Sequence, residues 1–406
     1  MPKLLAVSWA MPPLLFPRSI QVSRLLSGLA DLGWDSRVVT GNAMSFGDNT
    51  FVDTGLQGLY ESSYDLIPVK PKNKFWATLT RPVLEDMPLH DWARRALKEA
   101  QAEISVNKPD VIITFAQPWA DFIIGLELKK NFPSLPWIAH FSDPWVDSIY
   151  HATISTEIRT CWERYERAVM ENADRIVFVT EKTVDLVMDK YPNALREKVV
   201  VVPHMHDSRV LSDHAQNRVK KQMLRMSYIG DMFSGTRTPE PLFDALDKLP
   251  IDVSECIELS FMGRMSNEYI TMARQRGLSD KIRFIPLGSY LDSMREIENS
   301  DVLLIVDAPS DGSVFFPSKL VEYLVALKPL IGITPSSGFS AQLVGECAWQ
   351  SLEPNDIEGI VEAFTQMVEK WKTGTLHVSN EHRNVSARYD RNVVANQFDA
   401  ILHSVV

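Results

Sequence analysis

Polar residues with the spacing of a phosphate and ribose site stand in segment 316–323, FPSKLVEY. Ser318 and Lys319 follow Pro317, a residue favoured at helix starts, and Glu322 comes one helical turn after Ser318. The free N–H groups of a helix start attract phosphate, and a carboxylate one turn later can accept two hydrogen bonds from a ribose diol. The spacing predicts a nucleoside diphosphate site. The alternative is a helix start that these residues only cap and stabilise.

A second group of reactive side chains stands in segment 137–145, WIAHFSDPW. The pattern predicts a strand that ends in an Asp-Pro turn, so His140 and Asp143 would lie at the edge of a sheet. A carboxylate there could serve as a general base or could orient a hydroxyl. In the alternative interpretation Asp143 bonds its own turn and His140 belongs to the core.

The elements that would position these residues alternate between strand and helix through most of the 406 residues. This α/β rhythm predicts two parallel-sheet domains, because one core of this size would be unusually large. In the first domain Ser19 is the expected cap of a helix over 19–32, and a proline-rich insertion over about 51–97 has no assigned elements. The predicted strands of this domain are 3–9, 36–40, 110–115, 137–141, 175–179 and 199–202.

In the second half the rhythm restarts after a polar linker. The expected division is a first domain over 1–206, a linker over 207–222, a second domain over 223–384 and a C-terminal helix over 385–406. The predicted strands are 226–229, 258–262, 282–285 and 302–306, and the predicted helices are 240–249, 267–276, 291–299 and 318–327.

Composition excludes several classes of function. A net charge of −10 argues against a general nucleic-acid binder. Cys161, Cys256 and Cys347 are too far apart for a CxxC metal pair or a disulfide framework, which favours a reducing cytoplasm. The start of the chain, 1–16, is better explained as a buried strand than as a signal peptide, and no apolar run is long enough to span a bilayer.

Segment 316–331 resembles the donor-binding element of GT-B glycosyltransferases of the large, mostly retaining family four. The family pattern is Pro-Ser-Lys-Leu, then Glu-Tyr-Leu, then Gly-Lys-Pro leading into a strand. Here Leu327 stands in place of that glycine, and Val314 stands where the family often has a second glutamate, near the donor sugar. Asp311, in the same loop, is a weak candidate to replace that acid. Retention of anomeric configuration is therefore less firmly implied than donor binding.

The resemblance extends over most of the chain. The turns Tyr228-Ile229-Gly230-Asp231 and Phe261-Met262-Gly263 look like the glycine turns of the donor domain. By position, the resemblance implies that Gly230 faces the donor and that Leu287 and Gly288 lie near the nucleobase. It also suggests Arg237 for the phosphates, with a solvated surface arginine as the alternative.

In the first half, Asp143-Pro144-Trp145 and Leu32-Gly33-Trp34 resemble a subgroup of the same family. Many relatives have a histidine immediately before this aspartate, where Ser142 stands here. The resemblance makes Asp143 the first choice for contacting the acceptor hydroxyl or the donor sugar, and His140 the second.

The resemblance implies two Rossmann-like domains facing a cleft, with a C-terminal helix that crosses back to the first domain. It implies transfer of a sugar, most simply from a UDP-sugar, to a hydroxyl of a surface-glycan acceptor that can be lipid-linked. The alternatives are a GT-B protein that binds a glycan or nucleotide without catalysis, and a nucleotide-sugar epimerase. The nucleotide sugar is a co-substrate, and no further cofactor is expected.

Motifs of other enzyme classes are missing from the sequence. It has no Gly-x-Gly-x-x-Gly, no Gly-x-x-x-x-Gly-Lys-Ser/Thr and no Asp-x-Asp, so a dinucleotide oxidoreductase, a P-loop kinase and a metal-dependent GT-A enzyme are disfavoured. His204-x-His206-Asp207 is a weak metal signal because no further ligands cluster with it. We expect no metal site and a metal-independent transfer.

A basic and aromatic patch lies in the proline-rich insertion. Lys70, Lys72, Lys74, Phe75 and Trp76 form its first part, and Arg81, Arg94, Arg95 and Lys98 follow. Such a patch could contact anionic headgroups at the inner face of the cytoplasmic membrane and present a lipid-linked acceptor. A solvated charged face is the alternative.

Overall fold

The computed structural model describes residues 1–41, 52–69, 91–211, 222–233, 237–310 and 312–406. The chain divides into two compact units. The first unit comprises Met1–Met205 with Arg391–Val406, and the second unit comprises His206–Asp390. The predicted linker, 207–222, lies largely outside the described residues.

The described part of the first unit contains a seven-stranded parallel sheet in the order β3-β2-β1-β4-β5-β6-β7. Its strands are β1 Lys3–Val7, β2 Asp35–Gly41, β3 Asp65–Val69, β4 Val111–Ala116, β5 Trp137–Phe141, β6 Arg175–Phe178 and β7 Val199–Val201. β4 and β5 are buried at every position, as expected for central strands covered by helices on both faces.

The helices of this unit connect the strands. They are α1 Pro17–Asp31, α2 Thr54–Tyr60, α3 Asp91–Asn107, α4 Ala120–Asn131, α5 Thr156–Asn172, α6 Glu181–Met188 and α7 Asn193–Arg196. The prediction that Ser19 caps the first helix is wrong: α1 begins at Pro17, with Phe16 as its N-cap, and Ser19 is fully buried. Proline fixes φ near the helical value and has no N–H to satisfy, so it starts the helix without a side-chain cap.

Strand β3 lies in the proline-rich insertion, where no elements were assigned from the sequence. It pairs with β2 in the register Arg37↔Asp65 to Gly41↔Val69 and forms the edge of the sheet. Pro68 lies within this strand, and an edge strand tolerates proline because one side of its backbone needs no partner. Because proline argues against a strand, β3 was not predicted from the sequence. Residues 42–51 and 70–90 of this region lie outside the described residues.

The second unit repeats the architecture. In the part that the structure describes, its parallel sheet has six strands in the order β10-β9-β8-β11-β12-β13. They are β8 Leu224–Ile229, β9 Ile257–Met262, β10 Ile282–Ile285, β11 Val302–Val306, β12 Leu330–Ile333 and β13 Gln350–Leu352. Its helices are α8 Glu240–Lys248, α9 Ile251–Ser254, α10 Asn267–Gln275, α11 Tyr290–Asn299, α12 Ser318–Ala326, α13 Phe339–Glu346, α14 Ile357–Lys372 and α15 Asn380–Arg388. The structure confirms the prediction of two parallel-sheet Rossmann-like domains.

The end of α12 explains the position where the family pattern has a glycine. Leu327 adopts the left-handed conformation, with φ +49° and ψ +56°, and ends the helix. A left-handed residue other than glycine costs about 1 kcal/mol. The following Lys328 is buried, and its ammonium donates to the carbonyls of Glu298 and Ser300 at 2.7 Å each. Leu327 thus ends α12 in the left-handed conformation that glycine adopts most readily.

The C-terminal region is two helices rather than the single helix predicted over 385–406. α15 ends at Arg388 in the second unit, and α16, Arg391–His403, packs on α1 of the first unit. Gly28 of α1 allows a close approach, because a Cβ there would lie 2.6 Å from the Cβ of Ala395. The C-terminal helix therefore returns to the first domain, as expected. No helix in the described ranges is long and apolar enough to cross a membrane.

Candidate functional site

Two glycine turns form the carboxyl edge of the second sheet. Gly230 follows β8 and Gly263 follows β9, with φ of +139° and +147°. A Cβ on Gly263 would lie 2.3 Å from the carbonyl oxygen of Gly230, so the two turns pack backbone against backbone. Glycine is required here by both conformation and space.

Lys319 reaches this edge from the first turn of α12. Its ammonium lies 3.7 Å from the centroid of the Tyr228 ring, and a Cβ on Gly230 would lie 2.5 Å from the same nitrogen. No donor-acceptor pair with a described residue satisfies this buried nitrogen. Burial, followed by the charge of Arg237, lowers the pKa of Lys319 well below its usual value, and Asp307 and Asp231 partly oppose this. The site therefore holds a buried cation in need of an anion.

Arg237 and Asp307 share this environment. The charges of Arg237 and Lys319 act on Asp307, which follows β11 and is 5% exposed. Burial raises the pKa of Asp307, and the Ser340 hydroxyl and the two cations oppose that shift. Asp231 is held by Arg264, whose backbone N–H and Nε donate to it at 2.9 and 3.0 Å. Arg237 thus shares this edge with Lys319 and Asp307, and its role at a phosphate stays a prediction.

Glu322 lies on the next turn of α12 and is buried at 7% exposure. The adjacent Tyr323 is fully buried, and its hydroxyl accepts a hydrogen bond from the backbone N–H of Ile229 at 2.9 Å. This bond ties α12 to the end of β8, so the helix start, Lys319 and Glu322 keep a fixed place at the edge of the sheet.

Leu287 and Gly288 lie in the loop between β10 and α11. Leu287 is half-buried, and a Cβ on Gly288 would lie 3.0 Å from the Asp292 side chain and 3.2 Å from Met262 Cε. Ser289 and Asp292 form a capping box at the start of α11, with the Ser289 hydroxyl accepting from the Asp292 N–H at 3.1 Å. The predicted base-contacting loop therefore lies at the same edge of the sheet as Gly230.

In the first unit, Asp143 follows β5 and is half-buried. Burial raises the pKa of Asp143, and the charges of Arg18 and His151 oppose this shift. Arg18, in the first turn of α1, is 9% exposed and donates to the Ser142 hydroxyl at 2.5 Å. The hydroxyl of Ser142, which stands at the position of the family histidine, therefore accepts a hydrogen bond from Arg18.

His140 lies inside β5 and is 7% exposed. Its ring lies 5.1 Å from Phe115 and 6.2 Å from Phe398, measured between centroids. Burial and the charge of Arg18 lower the pKa of His140 to about 3. The side chain is neutral at physiological pH, so it can form hydrogen bonds, but it is a weak base and carries no charge.

The three polar side chains of the His204-x-His206-Asp207 segment each contact a different partner. The Gln21 amide lies 3.1 Å from Nε2 of His204, and Nε2 of His206 lies 2.9 Å from the Ser386 carbonyl. Asp207 pairs with Arg209 at 2.6 Å. Across the described ranges there is no group of three or more His, Cys, Asp and Glu residues placed to hold a metal.

Three residues of these two edges were missing from the predicted sets: Arg18, Tyr228 and Asp307. Arg18 could have been found from the sequence, because it is a cation one residue after the Pro17 that starts α1. Asp307 could also have been found, because it is a carboxylate directly after an apolar strand. The role of Tyr228 beneath Lys319 depends on tertiary contact and had none. Asp311 and most of the basic and aromatic patch lie outside the described residues.

Comparison with known proteins agrees with this architecture. Residues 19–204 match the family model described as a glycosyl transferase 4-like domain. No curated protein matches the chain.

Solved structures of the same fold cover nearly the whole chain. Sucrose-phosphate synthase from Thermosynechococcus elongatus has a TM-score of 0.74 at 14% identity and covers 100% of this chain and 99% of its own. HepE from Anabaena, in complex with UDP and glucose, has a TM-score of 0.68 at 14% identity, with 100% of both chains covered. A putative UDP-N-acetylglucosamine 2-epimerase from Listeria monocytogenes has a TM-score of 0.62 at 12% identity and covers 99% of this chain and 96% of its own. The chain has a glycosyltransferase-like GT-B fold.

Proposed function

We propose that the chain is a glycosyltransferase that moves a sugar from a UDP-sugar to a hydroxyl of a surface glycan, which can be lipid-linked. One observation carries the donor half of this proposal. A buried cation, Lys319, lies in the first turn of α12 at the carboxyl edge of a parallel sheet, and buried Glu322 lies one turn later. Ligands of open α/β sheets bind at this edge.

The proposed donor complex uses each group once. The N–H groups at Ser318 and Lys319, the Lys319 ammonium and Arg237 bind the diphosphate, and Glu322 accepts hydrogen bonds from the ribose diol. Because the diphosphate gains charge as it leaves, these preorganised groups stabilise the transition state more than the bound donor. The leaving group is thereby stabilised by residues of this chain without a metal. Gly230 gives the diphosphate close access to the backbone.

On the acceptor side, we assign Asp143 of the first unit as the general base or orienting acceptor, with His140 as a neutral neighbour. The raised pKa of Asp143 brings it nearer to the pH at which a base is effective. Retention of anomeric configuration, which the resemblance implies less firmly than donor binding, is part of the proposal.

A nucleotide-sugar epimerase is a second candidate because one structural relative is described as a putative epimerase. The two differ in product. A transferase releases nucleoside diphosphate, whereas an epimerase of the proposed class yields an altered sugar nucleotide. A protein that binds a glycan or nucleotide without catalysis produces neither.

Titration calorimetry with UDP tests the donor site. Replacing the buried Glu322 with Ala removes the ribose acceptor, and we expect the Kd for UDP to rise about tenfold or more, as for a hydrogen bond to a charged group. Glu358→Ala is the matched control, since that carboxylate is exposed and pairs with Lys248 on the surface. Unchanged UDP affinity in a folded Glu322→Ala protein would refute the assignment.

A further inference from the structure

Asp307 is a buried carboxylate at the donor edge to which the proposed function gives no role. It directly follows β11, and its backbone N–H donates to the Ile333 carbonyl at 3.1 Å. Its side chain is 5% exposed, and its Oδ2 accepts no hydrogen bond from any residue in the described ranges. A buried polar oxygen without a donor costs free energy unless a ligand supplies one.

The opposite charge beside it is also unsatisfied. The Lys319 ammonium is buried and donates no hydrogen bond to the described part of the chain, and its charge acts on Asp307. Among described residues, no hydrogen bond joins the Lys319 ammonium to Asp307. Buried charged groups in proteins are usually paired. Keeping them apart suits a ligand that has both an anion and a hydroxyl donor.

The loop that follows Asp307 packs against the start of α13. The N–H of Phe339, the first residue of α13, donates to the Ser313 carbonyl at 2.8 Å, and the rings of Phe316 and Phe339 lie 4.6 Å apart. A Cβ on Gly338 would lie 3.4 Å from Ser313, so the two loops pack closely. The starts of α12 and α13 are therefore held on either side of the loop that follows Asp307.

We propose that Asp307 accepts a hydrogen bond from a hydroxyl of the donor sugar and so selects the sugar nucleotide over the bare nucleoside diphosphate. This rests on the proposed function. A diphosphate separates the ribose from the sugar in such a donor. With Glu322 assigned to the ribose and Lys319 and Arg237 to the diphosphate, the acceptor beside those cations is left for the sugar.

The proposal predicts effects of opposite sign on two ligands. In Asp307→Asn the negative charge beside the diphosphate site is lost, so affinity for UDP is retained or increased. Affinity for UDP-glucose falls about 10- to 100-fold, the range for losing a hydrogen bond to a charged group. If Asp307 had a purely structural role, Asp307→Asn would instead lower the affinity for UDP and for UDP-glucose by the same factor.

Titration calorimetry with UDP, UDP-glucose, GDP and GDP-mannose on wild type, Asp307→Asn and the exposed control Asp280→Asn measures this difference. The expected result is selective loss of the sugar nucleotide in Asp307→Asn, with Asp280→Asn like wild type. Equal loss of both ligands, or no change in either, overturns the role of Asp307 while leaving the donor site intact. If wild type binds none of the four ligands, the proposed function itself fails, and this inference fails with it.

Discussion

The ammonium of Lys319 lies 3.7 Å from the centroid of the Tyr228 ring, over the aromatic face. Cation–π contact only partly replaces the hydration that the ammonium loses on burial. The pKa of Lys319 is therefore well below its usual value, chiefly through burial. A bound diphosphate would supply the missing negative charge and raise that pKa again.

Proton uptake on UDP binding is the first prediction. Because the pKa of Lys319 is lower in the free protein than in the complex, binding takes up a proton at pH values between the two. Affinity for UDP should therefore fall as pH rises through this window. At pH 8 to 9, above the second ionisation of a phosphate at about pH 6, UDP itself contributes no proton change.

Calorimetry in two buffers with different ionisation enthalpies measures this uptake. Wild type should take up a fraction of a proton, and Lys319→Met should show none and bind UDP more weakly. Lys248→Met, which removes an exposed lysine of the same unit, should behave as wild type. Equal uptake in wild type and Lys319→Met would contradict the role given to this ammonium.

Loss of stability at acid pH is the second prediction, and it concerns His140. The folded-state pKa of about 3 lies below the unfolded value of about 6.5, so the unfolded state binds the extra proton first. Stability is full above pH 6.5 and falls as pH drops towards 3. For one such histidine the loss between pH 7 and pH 5 is about 2 kcal/mol.

Urea unfolding at pH 7 and pH 5 checks it. His140→Phe keeps an aromatic ring between Phe115 and Phe398 and removes the titrating group. The variant should lose about 2 kcal/mol less than wild type over this interval. A pH dependence identical to that of wild type would show that the imidazole is protonated in the folded state.

Much of the fold could be predicted from the sequence because short apolar strands alternate with helices. Strands 137–141, 282–285 and 302–306 were predicted with the bounds that the structure has. The failures had local causes. Pro68 argued against a strand where the edge strand β3 lies. The break between α15 and α16, at residues 389–390, was not predicted because it contains no glycine or proline.

The candidate site was less predictable than the fold. The helix start at Ser318 has the predicted bound, because proline and the apolar spacing after it are local signals. The setting of Lys319 beside Tyr228, Gly230 and Asp307 depends on residues from the ends of two strands, β8 and β11. Such burial and charge coupling arise only on folding, so a sequence pattern does not show them. The contact of Arg18 with Ser142, 124 positions apart, is of the same kind.

The third prediction concerns Asp143. If this carboxylate is the base, Asp143→Asn should lower the release of UDP from UDP-glucose, with water as acceptor, by about 100- to 10,000-fold. UDP affinity should not change, because the proposed nucleotide contacts all lie in the second unit. The exposed control Asp189→Asn should keep wild-type activity.

The pH profile gives an independent readout. Since burial raises the pKa of Asp143, wild-type activity should fall on acidification at a higher pH than an ordinary carboxylate would require. Asp143→Asn with full activity, or with UDP affinity lost in parallel, would remove Asp143 from the chemistry.

The most direct test of the central claim is the thermal stability of the wild-type protein with and without UDP, in the presence of EDTA. A ligand at 100 times its Kd adds about 2.7 kcal/mol to the free energy of unfolding. We predict that UDP raises the melting temperature and that uridine, which lacks the diphosphate, does not. No shift with UDP or GDP, or an equal shift with uridine, would contradict a diphosphate site at the start of α12.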